Sequence, residues 1–367
     1  MKLPSLLDLT PDQYAVIDLP FEGRHLITGP QGSGKTVMAI YRAWMQATAG
    51  HPVTLITRSN LLSQYTDHFS NRLSEGFRVA TFHRWLREFW NKNFQDEPPT
   101  DGTDEWSYNW PRMQIECLQR QPELPGDLVI DEGQNLPKQF YELCSILENH
   151  VTVFADGFRS LEEDQATLAD IGKGLEVEAE AISLRNNHRT TREIALLADH
   201  FRVGDDLMDV NLPERTGDIP HLMHCSSGRP FVVQLAQYIS SRPECTVGII
   251  CRTVELQREI HRQLAGQGLQ SSVQSYISGD RNRSTVDFAT HRIHIVNAVS
   301  MKGLEFDIVF VPDLDSYSED PTGATARERF HVLCMRARQE LNLVHYSARE
   351  PEIVANVPMS LLGRRTI

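Results

Sequence analysis

Residues 29–36 read Gly-Pro-Gln-Gly-Ser-Gly-Lys-Thr, and no other stretch limits the possible folds as strongly. The run follows the apolar segment HLIT and precedes VMAIYRAWMQA, which is compatible with a helix. Between a strand and a helix, such glycines let backbone N–H groups turn inward around phosphate oxygens, and the helix adds the positive end of its dipole. The run therefore predicts a phosphate-binding loop in an α/β fold.

The chemistry of this loop assigns roles to side chains within it and beyond it. Lys35 is expected to reach the β- and γ-phosphates, and Thr36 to offer its hydroxyl to Mg²⁺. After the apolar segment 128–130, Asp131 is expected to hold Mg²⁺ and Glu132 to act as the general base. Because phosphoryl transfer needs both halves, the two motifs together predict ATP as ligand and Mg²⁺ as cofactor. The other loop residues expected to contact the nucleotide are Gly29, Gln31, Gly32, Ser33 and Gly34.

Short runs rich in Val and Ile alternate with helical stretches, which is typical of parallel sheets. In the first half, strands are predicted at 25–29, 53–57, 77–81, 127–131 and 151–155, and helices near 35–48, 60–73 and 137–148. The pattern restarts with strands at 221–225, 247–251, 292–297, 307–312 and 341–346. A polar stretch containing Gly and Pro, 202–220, separates the halves, which predicts two α/β domains, 1–203 and 204–367. Residues 91–126 are predicted to form a short insertion in the first domain.

Composition restricts the partners and the compartment. The net charge of −13 argues against a general electrostatic grip on nucleic acid, although a local basic groove is compatible with it. The six cysteines are scattered without a CxxC pair, which favours reduced thiols in a cytoplasmic protein. No segment approaches the ~20 apolar residues of a membrane span, and no secretory leader is expected.

Motifs in the first half resemble those of the UvrD/Rep-like branch of superfamily 1 helicases. Residues 9–13 (LTPDQ) resemble the Q motif, which implies that Gln13 reads the adenine edge. Residues 81–83 (TFH) resemble the motif that lies against single-stranded DNA. Residues 131–135 (DEGQN) resemble the DExQD box, which implies that Gln134 senses the γ-phosphate.

The second half continues the series in the same order. Residues 187–190 (NHRT), 302–306 (KGLEF) and 334–338 (CMRAR) resemble the family's N-[YH]-R-[ST], KGLEF and VTRAR motifs. The positions that these motifs imply at the nucleotide are Arg189 and Arg336 at the γ-phosphate, and Gly303 and Glu305 on the ribose side. The resemblance implies two RecA-like domains that hydrolyse Mg-ATP in the cleft between them and move along single-stranded DNA or RNA.

Four residues are candidates for contact with a nucleic-acid strand: Arg58, Thr81, Phe82 and His83. Arg58 lies just past a predicted strand, and the other three form the motif that resembles the strand-contacting segment. Aromatic residues at 82, 85, 89 and 90 also have the spacing of a helix that buries one face in a core. Core packing is therefore favoured for Trp85 and Phe89.

The sequence departs from the family pattern in the elements that link ATP to DNA, at Asn135, Arg159, Asn297 and Val299. Two alternatives to a translocase or helicase follow from this. One is an ATP-driven regulatory switch, a subunit of a nuclease or defence complex with little intrinsic unwinding. The other is a nucleotide-binding scaffold with little turnover. All three hypotheses leave room for a protein partner.

Overall fold

In the computed structural model, the runs rich in Val and Ile form strands, and several are buried along their whole length, as in a parallel sheet covered on both faces. The structure describes residues 5–57, 77–102, 107–123, 126–147, 150–156, 165–177, 182–203, 211–226, 228–277, 280, 286–287, 290–298, 301, 304–317 and 319–367. The chain divides into two compact units: the first unit, residues 2–185, and the second unit, residues 186–367.

The first unit contains a six-stranded sheet whose strand pairings are all parallel, with the order β3-β2-β4-β5-β1-β6. Its strands are β1 (Arg24–Thr28), β2 (Val53–Thr57), β3 (Arg78–Thr81), β4 (Asp127–Ile130), β5 (Val151–Ala155) and β6 (Ile182–Ser183). Its helices are α1 (Pro11–Ile17), α2 (Lys35–Thr48), α3 (Phe82–Phe94), α4 (Trp110–Arg120), α5 (Lys138–Ile146) and α6 (Leu168–Leu175). The helix predicted near 60–73 lies outside the described residues.

The second unit contains a seven-stranded sheet that is again parallel throughout, with the order β13-β7-β12-β11-β8-β10-β9. Its strands are β7 (His221–His224), β8 (Val247–Cys251), β9 (Val273–Ser275), β10 (Ile293–Asn297), β11 (Phe306–Val311), β12 (Ala337–His345) and β13 (Gly363–Thr366). Its helices are α7 (Arg192–His200), α8 (Gly228–Ser240), α9 (Val254–Leu264), α10 (Ala324–Cys334) and α11 (Glu352–Ala355). The predicted α/β class with two parallel sheets is confirmed.

The two units divide at Arg185 and Asn186, whereas the sequence pattern placed the domain boundary at 203/204. The difference comes from α7, which precedes the polar stretch 202–220 in sequence but contacts α10 and β12 of the second unit. The side chain of His331 in α10 also bonds the carbonyl oxygen of Ala198 in α7 at 2.8 Å. Helix α7 therefore belongs to the second unit.

The described residues of the predicted insertion, 91–102, 107–123 and 126, include a helix that packs into the first unit. Asn109 caps α4 by accepting a hydrogen bond from the N–H of Arg112 at 3.1 Å. Trp110, Met113 and Cys117, spaced three and four residues apart, then face the core of the first unit. The segment thus contributes a helix to the core, next to the buried aromatic face of α3.

Candidate functional site

The loop between β1 and α2 has a backbone that requires its glycines. Gly32 and Gly34 have φ angles of 89° and 91°, a region that other residues rarely adopt. A Cβ atom on Gly29 would lie 2.7 Å from the carbonyl oxygen of Leu184 and 2.6 Å from Ser33 Oγ. Gly34 is also the N-cap of α2, so the loop ends at the positive end of a 14-residue helix. This geometry suits an anionic ligand.

Lys35, the first residue of α2, is buried and folded over the loop. Its ammonium group donates to the carbonyl oxygens of Gly29 at 2.7 Å and Pro30 at 2.9 Å. It also lies 3.7 Å from a carboxylate oxygen of Asp156, which follows β5 and is equally buried. The ammonium is thus fixed at the centre of the loop by three oxygen atoms.

Asp131 follows β4, and its side chain is 2% exposed. Within the described part of the chain, neither carboxylate oxygen meets the full geometry of a hydrogen bond, although the Thr36 hydroxyl and the backbone of Glu132 are close enough to lower the pKa of the group. Burial, and then the nearby charge of Glu132, raise the pKa of Asp131, while Thr36 and Lys35 act in the opposite direction. A buried carboxyl beside a threonine hydroxyl supplies the oxygen ligands that Mg²⁺ prefers, so these residues fit the predicted metal.

Glu132 and Gln134 occupy a tight turn directly after Asp131. Glu132 has a φ angle of 56°, a left-handed conformation that is uncommon for a residue with a side chain. The amide of Gln134 donates to Glu132 Oε2 at 2.6 Å, and its oxygen accepts from the backbone N–H of Asp156 at 3.0 Å. The hydroxyl of Tyr141 donates to the carbonyl oxygen of Gly133 at 2.6 Å and braces the turn. The candidate base is therefore held in one orientation.

Gln13 lies against the same loop and is 6% exposed. Its side-chain oxygen accepts from the N–H of Thr10 at 3.1 Å, and its amide nitrogen lies 3.4 Å from the carbonyl oxygen of Ser33. A Cβ atom on Gly34 would meet that nitrogen at 2.8 Å. Each end of the amide therefore has a protein contact, one capping α1 and one supporting the loop.

The residues predicted at the nucleotide in the second half of the chain lie in the second unit. Arg189 forms a largely buried ion pair with Glu305. Arg336 is 3% exposed, and its guanidinium donates to the carbonyl oxygens of Val332 at 2.9 Å and Leu304 at 3.1 Å. Gly303 lies outside the described residues. All three described side chains thus make contacts within their own unit.

The candidate strand-contacting residues divide into two groups. Thr81 and His83 are partly exposed at the junction of β3 and α3, where His83 Nδ1 lies 3.1 Å from the hydroxyl of Tyr108. Phe82 is 1% exposed and packs against Phe140 at 5.0 Å between ring centroids. The buried ring of Phe82 faces the core, so this structure does not present it for the predicted contact with a nucleic-acid strand. Arg58 lies outside the described residues.

Trp85 and Phe89 stack on each other at 5.3 Å and are buried, so their predicted core packing is confirmed. The site also contains a residue that the sequence reasoning did not select, Asp156. Its position directly after a fully buried parallel strand was the available signal, because ligands of such sheets bind at the carboxyl ends of the strands. Tyr141 gave no comparable signal in the sequence.

Comparison with known proteins adds little to this geometry. No protein-family profile and no curated protein matches the chain. Among solved structures, the chain is similar to the C-terminal domain of a possible DNA helicase from Lactobacillus plantarum WCFS1, with 23% sequence identity and a TM-score of 0.36 over 48% of this chain and 97% of that one. This likeness is too distant to bear on the activity. None of the helices in the described segments is long and apolar enough to cross a membrane.

Proposed function

We propose that this chain is an ATP-hydrolysing nucleic-acid motor of the superfamily 1 helicase type, with two RecA-like units. One observation carries the proposal. The glycine loop at the start of α2 and the buried carboxyl of Asp131 belong to the same cluster, together with Lys35 and Thr36. A phosphate cradle beside a buried carboxyl is the pairing that hydrolysis of Mg-ATP requires.

Phosphate binding is assigned to the loop and to Lys35. Backbone N–H groups of residues 32–36 and the dipole of α2 would stabilise phosphate oxygens, and the ammonium of Lys35 would add a full charge at the centre of the loop. Gln31, Ser33 and the glycines would contribute through the backbone around the phosphates.

Metal binding and proton transfer are assigned to the turn after β4. Thr36 and Asp131 would hold Mg²⁺, which when bound neutralises charge on the phosphates. Glu132 would accept the proton of the attacking water, because Gln134 already fixes one of its carboxylate oxygens at 2.6 Å. The remaining oxygen of Glu132 is the atom that would take the proton.

The nucleic-acid assignment rests on the sequence resemblance and on Thr81 and His83, which stay partly exposed at the carboxyl end of β3. Single-stranded DNA or RNA is the proposed track, and a nuclease or another protein subunit is the proposed partner. Arg189, Arg336 and Glu305 are proposed to serve the nucleotide during turnover, which would require them to exchange the contacts they make within the second unit.

The test is the ATPase rate of the purified chain with and without single-stranded DNA, with RNA in a parallel series. Lys35→Ala is the control for contaminating ATPases. We expect Mg-dependent turnover that increases with single-stranded nucleic acid. Turnover that is indifferent to nucleic acid would favour the regulatory switch, and no turnover would favour the scaffold; either result contradicts the motor.

A further inference from the structure

The ammonium of Lys35 has a counter-ion that the proposed chemistry does not use. Asp156 Oδ2 lies 3.7 Å from Lys35 Nζ, and both side chains are buried to about the same degree, 5% and 6% exposed. The other two contacts of the ammonium are the carbonyl oxygens of Gly29 and Pro30, at 2.7 and 2.9 Å. At 3.7 Å the carboxylate of Asp156 is beyond hydrogen-bond distance, so it serves Lys35 as a counter-ion, and a phosphate oxygen that binds the ammonium would take over that role.

Asp156 is the partner of Lys35 that a phosphate would replace. The carbonyl oxygens of Gly29 and Pro30 are uncharged and belong to the loop itself. The carboxylate of Asp156 carries the same sign of charge as the incoming phosphate, and like charges in a buried site repel strongly. Binding of phosphate would therefore weaken the Lys35–Asp156 contact before it weakens the contacts with the loop.

Asp156 is also connected to the candidate base. Its backbone N–H donates to Gln134 Oε1 at 3.0 Å, and the other end of that amide donates to Glu132 Oε2 at 2.6 Å. A shift of the Asp156 backbone would move the side chain of Gln134, because the side-chain amide of Gln134 is hydrogen-bonded to Asp156 at one end and to Glu132 at the other. The phosphate-binding lysine and the base are thus joined by one chain of contacts.

We propose that Asp156 is the counter-ion that a nucleotide phosphate displaces from Lys35, and that Gln134 passes this exchange to Glu132. The inference rests on the proposed function of the loop, and it assigns Asp156 and Gln134 as positioning residues of that site. Asp156 competes with the phosphate, and Gln134 orients the base.

The counter-ion role is tested with Asp156→Asn, which removes the charge and keeps the backbone N–H. Binding of a non-hydrolysable ATP analogue with Mg²⁺ is measured by calorimetry. We expect affinity to increase roughly three- to thirty-fold, as for the removal of one charged competitor. Asp127→Asn is the matched control, because Asp127 is a buried carboxyl of the same sheet that contacts His51 and Gln46. Asp156→Ser is made in parallel in case the first variant does not fold.

The positioning role is tested with Gln134→Ala, for which we expect a lower kcat with nucleotide affinity close to that of the unmodified chain. Unchanged or weaker affinity in a folded Asp156 variant would overturn the counter-ion, and an unchanged kcat in Gln134→Ala would overturn the connection to the base. If the unmodified chain binds no nucleotide, the proposed function fails and this inference fails with it. If the unmodified chain binds and the Asp156 variants bind no tighter, only the inference fails.

Discussion

Replacement of Gln13 by alanine separates two roles for this residue. The sequence resemblance assigns Gln13 to the adenine base, whereas the structure uses its amide to cap α1 and to support the loop at Ser33. Gln13 is the third residue of a capping box whose N-cap is Thr10, and the loss of its hydrogen bond to the N–H of Thr10 costs about 0.5–1.5 kcal/mol. The contact with Ser33 is long, at 3.4 Å, and adds less than an ordinary hydrogen bond. The free energy of unfolding of the first unit should therefore fall by about 1–2 kcal/mol, a decrease in Tm of about 2–8 °C.

The assay combines thermal unfolding with binding of ATP and GTP to the same protein samples. If Gln13 mainly supports the loop, both nucleotides should lose affinity by similar factors, because the loop contacts phosphates that ATP and GTP share. Gln46→Ala is the matched control. Gln46 is a buried glutamine on α2 whose amide contacts Asp127, so its loss should lower stability and leave both nucleotide affinities unchanged.

An unchanged Tm together with loss of the preference for ATP over GTP would contradict a supporting role for Gln13. That outcome would mean that the amide exchanges its contacts with Thr10 and Ser33 for hydrogen bonds to adenine when the nucleotide binds. A fall in both stability and selectivity would show that the side chain of Gln13 serves both roles. The ratio of the ATP and GTP affinities would then measure the contribution of its contact with the adenine base.

Four further outcomes follow from the proposed site. Lys35→Ala should abolish turnover in a protein that still melts cooperatively; wild-type ATPase in that variant would contradict the phosphate-loop assignment. Glu132→Gln should bind ATP and hydrolyse it very slowly, and loss of affinity together with turnover would make Glu132 an organising residue instead. Arg336→Ala should lower kcat more than nucleotide affinity. Circular dichroism would check that the second unit stays folded without the contacts of Arg336 with the carbonyl oxygens of Val332 and Leu304. The isolated chain should displace a strand poorly from a long tailed duplex at physiological salt, because each base-pair step costs about 1.4 kcal/mol and an acidic chain holds DNA weakly; efficient unwinding would contradict this.

The strands with continuous apolar sequence were the easiest part of the fold to predict. The runs at 53–57, 151–155 and 247–251 match β2, β5 and β8 residue for residue, because burial on both faces keeps charged residues out of these runs. Strands β6, β9 and β13 were not predicted. They are two to four residues long and lie at sheet edges, where one partner strand is enough and an apolar run is not needed.

Other features depend on contacts that no local pattern encodes. The domain boundary differs because α7 packs onto α10 and β12, which follow it by more than a hundred residues. The motifs predict which residues form the candidate site, but they do not predict which other side chains hold those residues in place. Neither the contact of Asp156 with Lys35 nor the brace from Tyr141 follows from spacing, because each joins the carboxyl end of one strand to a segment elsewhere in the fold.

The charges at the carboxyl edge of the first sheet predict that nucleotide binding at the proposed site requires a divalent cation. The ammonium of Lys35 lies 3.7 Å from the carboxylate of Asp156 and acts on the buried carboxyl of Asp131, which also lies near the charge of the partly buried Glu132. A nucleotide would bring several more negative charges into a region where burial already raises the pKa of Asp131. Displacement of Asp156 from Lys35 offsets only part of that repulsion. A cation held by Asp131 and Thr36 at the phosphates would compensate the rest. Nucleotide affinity and Mg²⁺ affinity should therefore be strongly coupled: each ligand should increase the affinity of the site for the other by reducing the electrostatic repulsion there.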